Sequence, residues 1–202
     1  MECCEYLQLL IWNLVDRQII HSEKPLDIVI GGFKGESGTV IQIAGNNPER
    51  IYKATKICVE YGYNEINLNC GCPSERAIDR HGVILMKDPP LTKALCSAMV
   101  EAIGDTNVKL SVKCRNGVDD MDTFEDLDKF ISITSESGIK DYIIHSRKAI
   151  LGLKKTRKNL IIPKIDYSYV YRLIEKYSNL NFTINGAIQS SEDIKEHISK
   201  GV

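Results

Sequence analysis

The apolar positions from residue 39 onward switch between two periods, one typical of strands and the other typical of helices. Short apolar runs predict strands over residues 39–44, 65–69, 108–113, 141–145 and 180–185. Between and after these runs, apolar residues at helical spacing predict helices over residues 48–61, 90–103, 123–137, 167–177 and 191–200. Strands that alternate with helices in this way predict an α/β protein with a parallel sheet.

The residues before position 39 follow this pattern less clearly. We expect an amphipathic helix over residues 5–20, where the apolar positions at helical spacing are Leu7, Leu10, Ile11, Leu14 and Val15. The glycine-rich run at residues 31–38 is superficially similar to a phosphate loop. It lacks the Gly-Lys-Ser/Thr ending and a following helix, so a loop is the better interpretation.

Polar side chains end all five predicted strands, and they are Gln42, Asn69, Lys113, His145 and Asn185. In a (β/α) barrel the carboxyl ends of all strands meet at one face, where the functional site is built. In an open doubly wound sheet only the strands near the switch point contribute. The polar ends therefore favour a (β/α)8 TIM barrel. Five strands cannot close a barrel of eight, so we expect an incomplete barrel forming one domain over residues 1–202.

Composition excludes several classes of protein. The 202 residues are 43% hydrophobic, which suits one globular domain, and a net charge of -1 gives no global positive field. No apolar run reaches the length of a membrane span, and no basic segment at the start indicates a secretory signal. Seven cysteines, an odd number, indicate reduced intracellular thiols rather than a disulfide framework. We expect a cytoplasmic protein, with an organelle as the alternative location.

The densest candidate chemistry lies in residues 65–76, where Asn67 and Asn69 interrupt an apolar strand that breaks at Gly71 and Pro73. Cys72 follows this strand, and its thiol is either a buried structural group or a proton donor. Thiols ordinarily titrate near pH 8.5, so a protonated thiol can serve as a general acid at neutral pH. The Cys-x-Cys spacing is not that of a Cys-x-x-Cys metal pair, and no metal site is expected.

Further candidates each carry two interpretations. Lys113 and Arg115 either lie in solvent at a rim or hold an anionic group. His145 either packs in the core or contributes to the site. The run Asn185-Gly186-Ala187 is either a simple turn or a place where backbone approaches a phosphate.

A basic loop follows the strand at residues 141–145, and its cations are Lys148, Lys154, Lys155, Arg157 and Lys158. A solvated loop explains such a run, and so does contact with a nucleic-acid backbone. Because the charge is local, RNA contact is compatible with the neutral total charge.

Two motifs in these segments resemble those of the tRNA-dihydrouridine synthases, most closely the A-type branch. They are Asn-x-Asn-x-Gly-Cys-Pro-Ser at residues 67–74 and His-x-Arg-Lys-Ala at residues 145–149. Shorter similar runs lie at residues 40–49, 112–120 and 184–188, so the resemblance covers about residues 15–202.

The resemblance implies an FMN-containing (β/α)8 barrel that reduces uridine to 5,6-dihydrouridine in the D loop of tRNA. It implies that NADPH re-reduces the flavin, that the reduced flavin passes hydride to C6 of a flipped-out uracil, and that Cys72 protonates C5. The implied FMN-binding residues are Gln42, Asn69, Lys113, His145, Asn185, Gly186 and Ala187. The implied tRNA contacts are Asn69, Arg115, Arg147 and Lys148.

The sequence departs from the family at both ends. The five predicted strands correspond to the third to seventh of the family barrel. An Ala-Pro-Met first strand is not recognisable, and the second strand is blurred around residues 9–15. The eighth strand and the C-terminal helical tRNA-binding domain are absent from the sequence, so we expect a truncated member that is monomeric.

Two other functions remain open at this level. One is an FMN barrel that acts on a free pyrimidine or another small molecule, which would not need the basic loop. The other is an inactive fragment, either vestigial or binding RNA without flavin. Bound flavin would distinguish both enzymes from the fragment, and a tRNA assay would distinguish the two enzymes.

Overall fold

The computed structural model describes residues 14–15, 39–73, 81–151 and 163–202. Six parallel strands form one sheet, and their order in the sheet is their order in the chain. They are β1 (Leu14–Val15), β2 (Ile41–Ala44), β3 (Glu65–Asn69), β4 (Lys109–Arg115), β5 (Asp141–His145) and β6 (Asn181–Asn185). A doubly wound sheet reverses its strand order at a switch point, and these strands show no reversal. The sheet is therefore the α/β arrangement of an incomplete TIM barrel, as the sequence predicts.

Five α-helices connect or follow these strands, each within two residues of its predicted bounds. They are α1 (Pro48–Glu60), α2 (Pro89–Ile103), α3 (Phe124–Ser135), α4 (Ser168–Lys176) and α5 (Ser191–Ser199). A 3₁₀ helix at Gly82–Lys87 precedes α2, and the sequence pattern did not predict it. No helix in these described ranges combines the length and apolar character needed to cross a bilayer.

The helix expected over residues 5–20 is wrong at residues 14–15, the part of this range that the structure describes. Leu14 and Val15 form β1, paired in parallel with Ile43 and Ala44 of β2. Two adjacent apolar residues fit both the helical and the strand spacing, so the sequence pattern does not distinguish the two. Pairing with β2 makes these residues a strand. The remainder of residues 5–20, the glycine-rich run 31–38 and the cations from Lys154 to Lys158 lie outside the described residues.

The two faces of the sheet carry different side chains. The outer face is apolar and fully buried beneath the helices, and it includes Ile41, Ile43, Ile66, Leu68, Val112, Cys114 and Ile144. Helix α1 covers it with Ile51, Ala54 and Cys58, whose spacing places them on one helical face. The inner face is mostly polar, because strand residues alternate between faces and every second position here is polar.

Side chains of the preceding residues cap four of the five described α-helix N-termini, including that of α2, where the Asp88 side chain accepts from the backbone N–H of Leu91. The Asn47 side chain accepts a hydrogen bond from the backbone N–H of Arg50 at the start of α1. Thr123 with Asp126 and Ser190 with Asp193 form complete capping boxes at the starts of α3 and α5. These caps satisfy N–H groups that the first helical turn leaves free.

Candidate functional site

The strand-end residues predicted from sequence share the inner face of the sheet. Gln42 lies in register with Asn67, and Asn69 with Lys113. Arg115, His145 and Asn185 lie in register across β4, β5 and β6. Residues in register share a face, and so do residues two apart on one strand. The register thus places these side chains on one face in successive rows, and the row of Arg115, His145 and Asn185 lies at the carboxyl ends of β4, β5 and β6.

Hydrogen bonds between side chains link the strands across this face. Gln42 Nε2 donates to Asn67 Oδ1 at 2.5 Å, and Asn67 Nδ2 donates to Ser111 Oγ at 2.9 Å. Lys113 Nζ donates to Asn185 Oδ1 at 3.4 Å, across the width of β5. Asn67 and Ser111 are only 2% exposed, so their partners offset the cost of burying polar groups. Sequence reasoning singled out Asn67 as candidate chemistry but missed Ser111, although both occupy inner-face positions of the two-residue period.

Asn69 shapes the loop that carries Cys72. Its side-chain oxygen accepts hydrogen bonds from the backbone N–H groups of Gly71 and Cys72, each at 3.0 Å. The backbone N–H of Val83 donates to the Cys72 carbonyl oxygen at 3.0 Å and holds the loop from the other side. As a result Cys72 is partly exposed, whereas Cys70 is completely buried in the core.

A group of basic side chains lies beside this loop. Burial lowers the pKa of Lys113 and the pKa of Arg115. Burial, followed by the charges of Arg115, Lys113 and Arg147, lowers the pKa of His145 to about 4, so its imidazole is neutral at pH 7. Within the described ranges no carboxylate forms an ion pair with Lys113, Arg115 or Arg147. The site is therefore electropositive and partly desolvated, which favours an anionic ligand.

Gly186 leaves room beside the His145 ring. A Cβ atom at Gly186 would lie 2.8 Å from His145 Cδ2 and 3.1 Å from Ile165 Cδ1, closer than packing allows. The backbone also has φ of +111° at Gly186 and +52° at Ala187, a conformation that favours glycine. The turn after β6 thus packs its backbone directly against a neutral ring.

Comparison with known proteins decides the family. The model of the dihydrouridine synthase (Dus) family matches residues 5–202. The chain belongs to this family.

Relatives in this family are tRNA-dihydrouridine(20/20a) synthases. The one from Vibrio parahaemolyticus serotype O3:K6 is 41% identical over 165 residues, which cover 81% of this chain and 50% of that protein. The one from Synechocystis is 36% identical over 81% of this chain and 48% of its own length. The one from Xanthomonas axonopodis pv. citri is 33% identical over 89% and 53%. The chain thus spans about half the length of the curated relatives it matches.

Similarity to solved structures is weak. The chain resembles Streptococcus suis SuiB bound to S-adenosylmethionine at 17% identity, with a TM-score of 0.37 over 74% of this chain and 40% of that one. A likeness this distant contributes nothing to the interpretation of the site.

Within the dihydrouridine synthase fold, two predicted RNA contacts are bound to other parts of the chain. Lys148 Nζ donates to Asp122 Oδ2 at 2.6 Å and to the Asp119 carbonyl oxygen at 3.3 Å. Arg147 Nη1 donates to the Pro163 carbonyl oxygen at 2.6 Å. The Lys148 ammonium is thus directed to an acidic loop and away from the group formed by Arg115 and His145. In the described ranges no set of three metal-ligating side chains is placed to hold an ion.

Proposed function

We propose that this chain provides the FMN site of a tRNA-dihydrouridine synthase, which reduces uridine to 5,6-dihydrouridine in the D loop of tRNA with NADPH as the electron source. The observation that carries the proposal is the placement of polar strand residues on one face, beside Cys72 and beside cations that form no ion pair with a carboxylate in the described part of the chain. Membership of the Dus family and the names of the relatives support the choice of substrate.

The residues of the inner face fit FMN in charge and in space. The flavin phosphate and the ring edge that becomes anionic on reduction both suit the electropositive group of Lys113 and Arg115. Glycine at position 186 lets the turn after β6 pack directly against the His145 ring, and a Cβ atom there would displace that ring. The residues that we assign to FMN are Gln42, Asn69, Lys113, His145, Asn185, Gly186 and Ala187. When bound there, FMN supplies the hydride that uridine accepts.

Cys72 is the proton donor in this proposal. Two hydrogen bonds from backbone N–H groups to Asn69 fix the loop, so the thiol is positioned before the substrate arrives. Loss of the proton leaves a thiolate, and the Arg115 guanidinium interacts electrostatically with this group. Arg115 is itself held by a hydrogen bond from its Nε to the Gly71 carbonyl oxygen at 2.8 Å.

Substrate RNA reaches the site along the basic edge. The uracil must leave the stack to meet the inner face, and Asn69 lies where it would arrive. We assign the nearest RNA contacts to Arg115 and Arg147, whose guanidinium groups keep donors beyond the bonds described above. Lys148 contacts RNA only if its ammonium group exchanges the bond to Asp122 for a bond to an RNA phosphate. We further propose a cytoplasmic monomer.

The test uses the purified 202-residue chain. We expect it to bind FMN, seen as quenching of flavin fluorescence on titration. We also expect it to form dihydrouridine, given NADPH and tRNA from cells that lack dihydrouridine synthases. A chain that binds no FMN contradicts the proposal. Reduction of free uridine without reduction of tRNA would replace it with the small-molecule function.

A further inference from the structure

The segment between β5 and α4 joins the loops that follow three strands. The backbone N–H of Asp166 donates to the Ser146 carbonyl oxygen, at 2.7 Å, in the loop after β5. Asn116 Nδ2, after β4, donates to the Asp166 carbonyl oxygen at 3.2 Å. The Tyr167 hydroxyl donates to the Gly186 carbonyl oxygen, after β6, at 2.6 Å. We call residues 163–167 the bridging segment.

Tyr167 is the member of the bridging segment that reaches the turn after β6. Its hydroxyl bond to Gly186 fixes the peptide that joins the two residues with positive φ, Gly186 and Ala187. Such backbone conformations persist where neighbouring groups hold them in place. The Ile165 side chain lies against the same turn, on the side that a Cβ atom of Gly186 would occupy.

A second set of contacts fixes the Tyr167 ring itself. The ring packs edge-on against the His197 ring of α5, with centroids 4.4 Å apart. His197 is almost completely buried, and its Nδ1 is 2.7 Å from the Tyr171 hydroxyl oxygen. The orientation of the Tyr167 hydroxyl therefore depends on α4 and α5 together and on packing that lies away from the inner face.

We propose that Tyr167 is a positioning residue for the cofactor: it holds the Gly186–Ala187 turn in the shape that leaves backbone open to the flavin. This inference rests on the proposed function, because it assumes that the turn contacts FMN. Sequence reasoning gave Tyr167 no role beyond the start of the helix predicted over residues 167–177.

The test compares Tyr167→Phe with a matched variant, Tyr169→Phe. The Tyr169 hydroxyl also donates to a backbone carbonyl oxygen, that of Asp122 at 2.9 Å, but it does not contact the β6 turn. Each variant loses one hydroxyl and keeps its ring. Two quantities are measured on the full chain: amide hydrogen exchange at residues 185–188 without flavin, and the Kd for FMN at a temperature well below unfolding.

We expect Tyr167→Phe to accelerate exchange in the turn and to weaken FMN binding by about fivefold to tenfold, the typical effect of one lost hydrogen bond. We expect Tyr169→Phe to change neither quantity. Unchanged exchange in Tyr167→Phe overturns the inference whether or not the chain binds flavin. Faster exchange with an unchanged Kd overturns the link to the cofactor alone. A wild-type chain that binds no FMN overturns the proposed function and that link together.

Discussion

The two faces of the sheet share the same strands but carry side chains of opposite polarity. On β3, Ile66 and Leu68 are fully buried against the helices, while Asn67 and Asn69 on the inner face are 2% and 4% exposed. Both pairs are therefore buried, and they differ in what burial requires. The apolar pair needs only close-packed neighbours. The amide pair needs hydrogen-bond partners with defined directions, and it finds them in Gln42, Ser111 and the Cys72 loop.

This difference separates stability from function along each strand. An outer-face residue can be exchanged for another of similar volume at modest cost. The buried inner-face residues Asn67 and Asn69 are tied to specific partners, and a change there disturbs the hydrogen bonds between strands or those that hold the Cys72 loop. Cys70 and Cys72 show the same division within one loop, because the first is a core residue and the second borders the site.

The largest expected effect is on catalysis at Cys72. We expect Cys72→Ala to slow uridine reduction about 10²–10⁴-fold, the usual loss on removing a positioned general acid. Reduction of the flavin by NADPH should continue, because it does not involve the thiol. The measurement is single-turnover oxidation of the pre-reduced protein by tRNA.

The matched variant is Cys70→Ala, which removes a thiol from the opposite side of the chain. Burial raises the pKa of Cys70 well above its ordinary value, so this group is poorly suited to give up a proton. We expect the rate in Cys70→Ala to stay near that of the wild type. If Cys70→Ala reduced uridine slowly and Cys72→Ala reduced it at the wild-type rate, the proton donor would be Cys70. The two thiols would then not differ in function as proposed.

The second effect concerns the outer face. We expect Leu68→Ala to lower the free energy of unfolding by about 2–5 kcal/mol, because it leaves a cavity beneath the helices. The control is Thr183→Ala on the exposed inner face of β6, which should change it by less than about 0.5 kcal/mol. Urea denaturation measures both. Equal losses in the two variants would mean that the inner face is packed as tightly as the outer one.

An intermediate effect is expected at Gly186. We expect Gly186→Ala to weaken FMN binding at least tenfold, since its Cβ atom would lie 2.8 Å from the His145 ring. The control is Gly62→Ala, which also places a Cβ atom on backbone of positive φ, at +90°, but in open space. Isothermal titration with FMN compares the two. A Kd unchanged by Gly186→Ala would show that the turn stands apart from the cofactor.

The smallest effect is a pH dependence. The pKa of His145 is lowered from 6.5 to about 4, mainly by burial, so the folded protein binds fewer protons there than the unfolded chain. Its contribution to stability is complete above pH 6.5 and is lost as the pH falls toward about 4. Solvent screening of the half-buried ring keeps this contribution below about 1 kcal/mol.

The variant His145→Gln removes this titration. We expect its free energy of unfolding to fall less steeply than that of the wild type between pH 6.5 and about pH 4, as followed by urea denaturation across that range. The comparison variant is His81→Gln, at a histidine just before the 3₁₀ helix. If the free energy of unfolding of His145→Gln fell with pH as steeply as that of the wild type, burial on the inner face would not be what lowers the pKa of this ring.

The strands and helices from residue 39 onward could be predicted from sequence, because apolar residues at helical spacing and apolar residues at strand spacing occur in separate segments. Strands β3 and β5 have their predicted bounds, and β4 extends two residues further, to Arg115. The residues added to β4 are a cysteine and an arginine, which carry little strand preference, and pairing with β5 extends the strand over them. The apolar pattern did not predict β1, because two residues are too few to carry a period, and only the family resemblance suggested a blurred strand around residues 9–15.

The candidate site could be predicted only as far as strand ends reveal it. A polar side chain that closes an apolar run is visible in sequence, as at Lys113 and His145. The partners that hold such groups come from distant segments. Examples are the Ser111 hydroxyl beneath Asn67 and the Tyr167 hydroxyl beneath Gly186, 44 and 19 residues apart in sequence. No local pattern encodes these contacts, because they depend on strand register and loop path.

The capped N-termini of α1, α3 and α5 have little remaining capacity to bind an anion. Asn47, Thr123 and Ser190 occupy first-turn N–H groups that in other proteins bind phosphate, and Asp126 and Asp193 offset the positive helix ends. Long-range attraction for an anion therefore comes from the arginine and lysine side chains, and it weakens as the ionic strength rises because less is gained by releasing counterions. The RNA binding proposed above should weaken in the same way, whereas the hydrogen bonds among Gln42, Asn67 and Ser111 should not change.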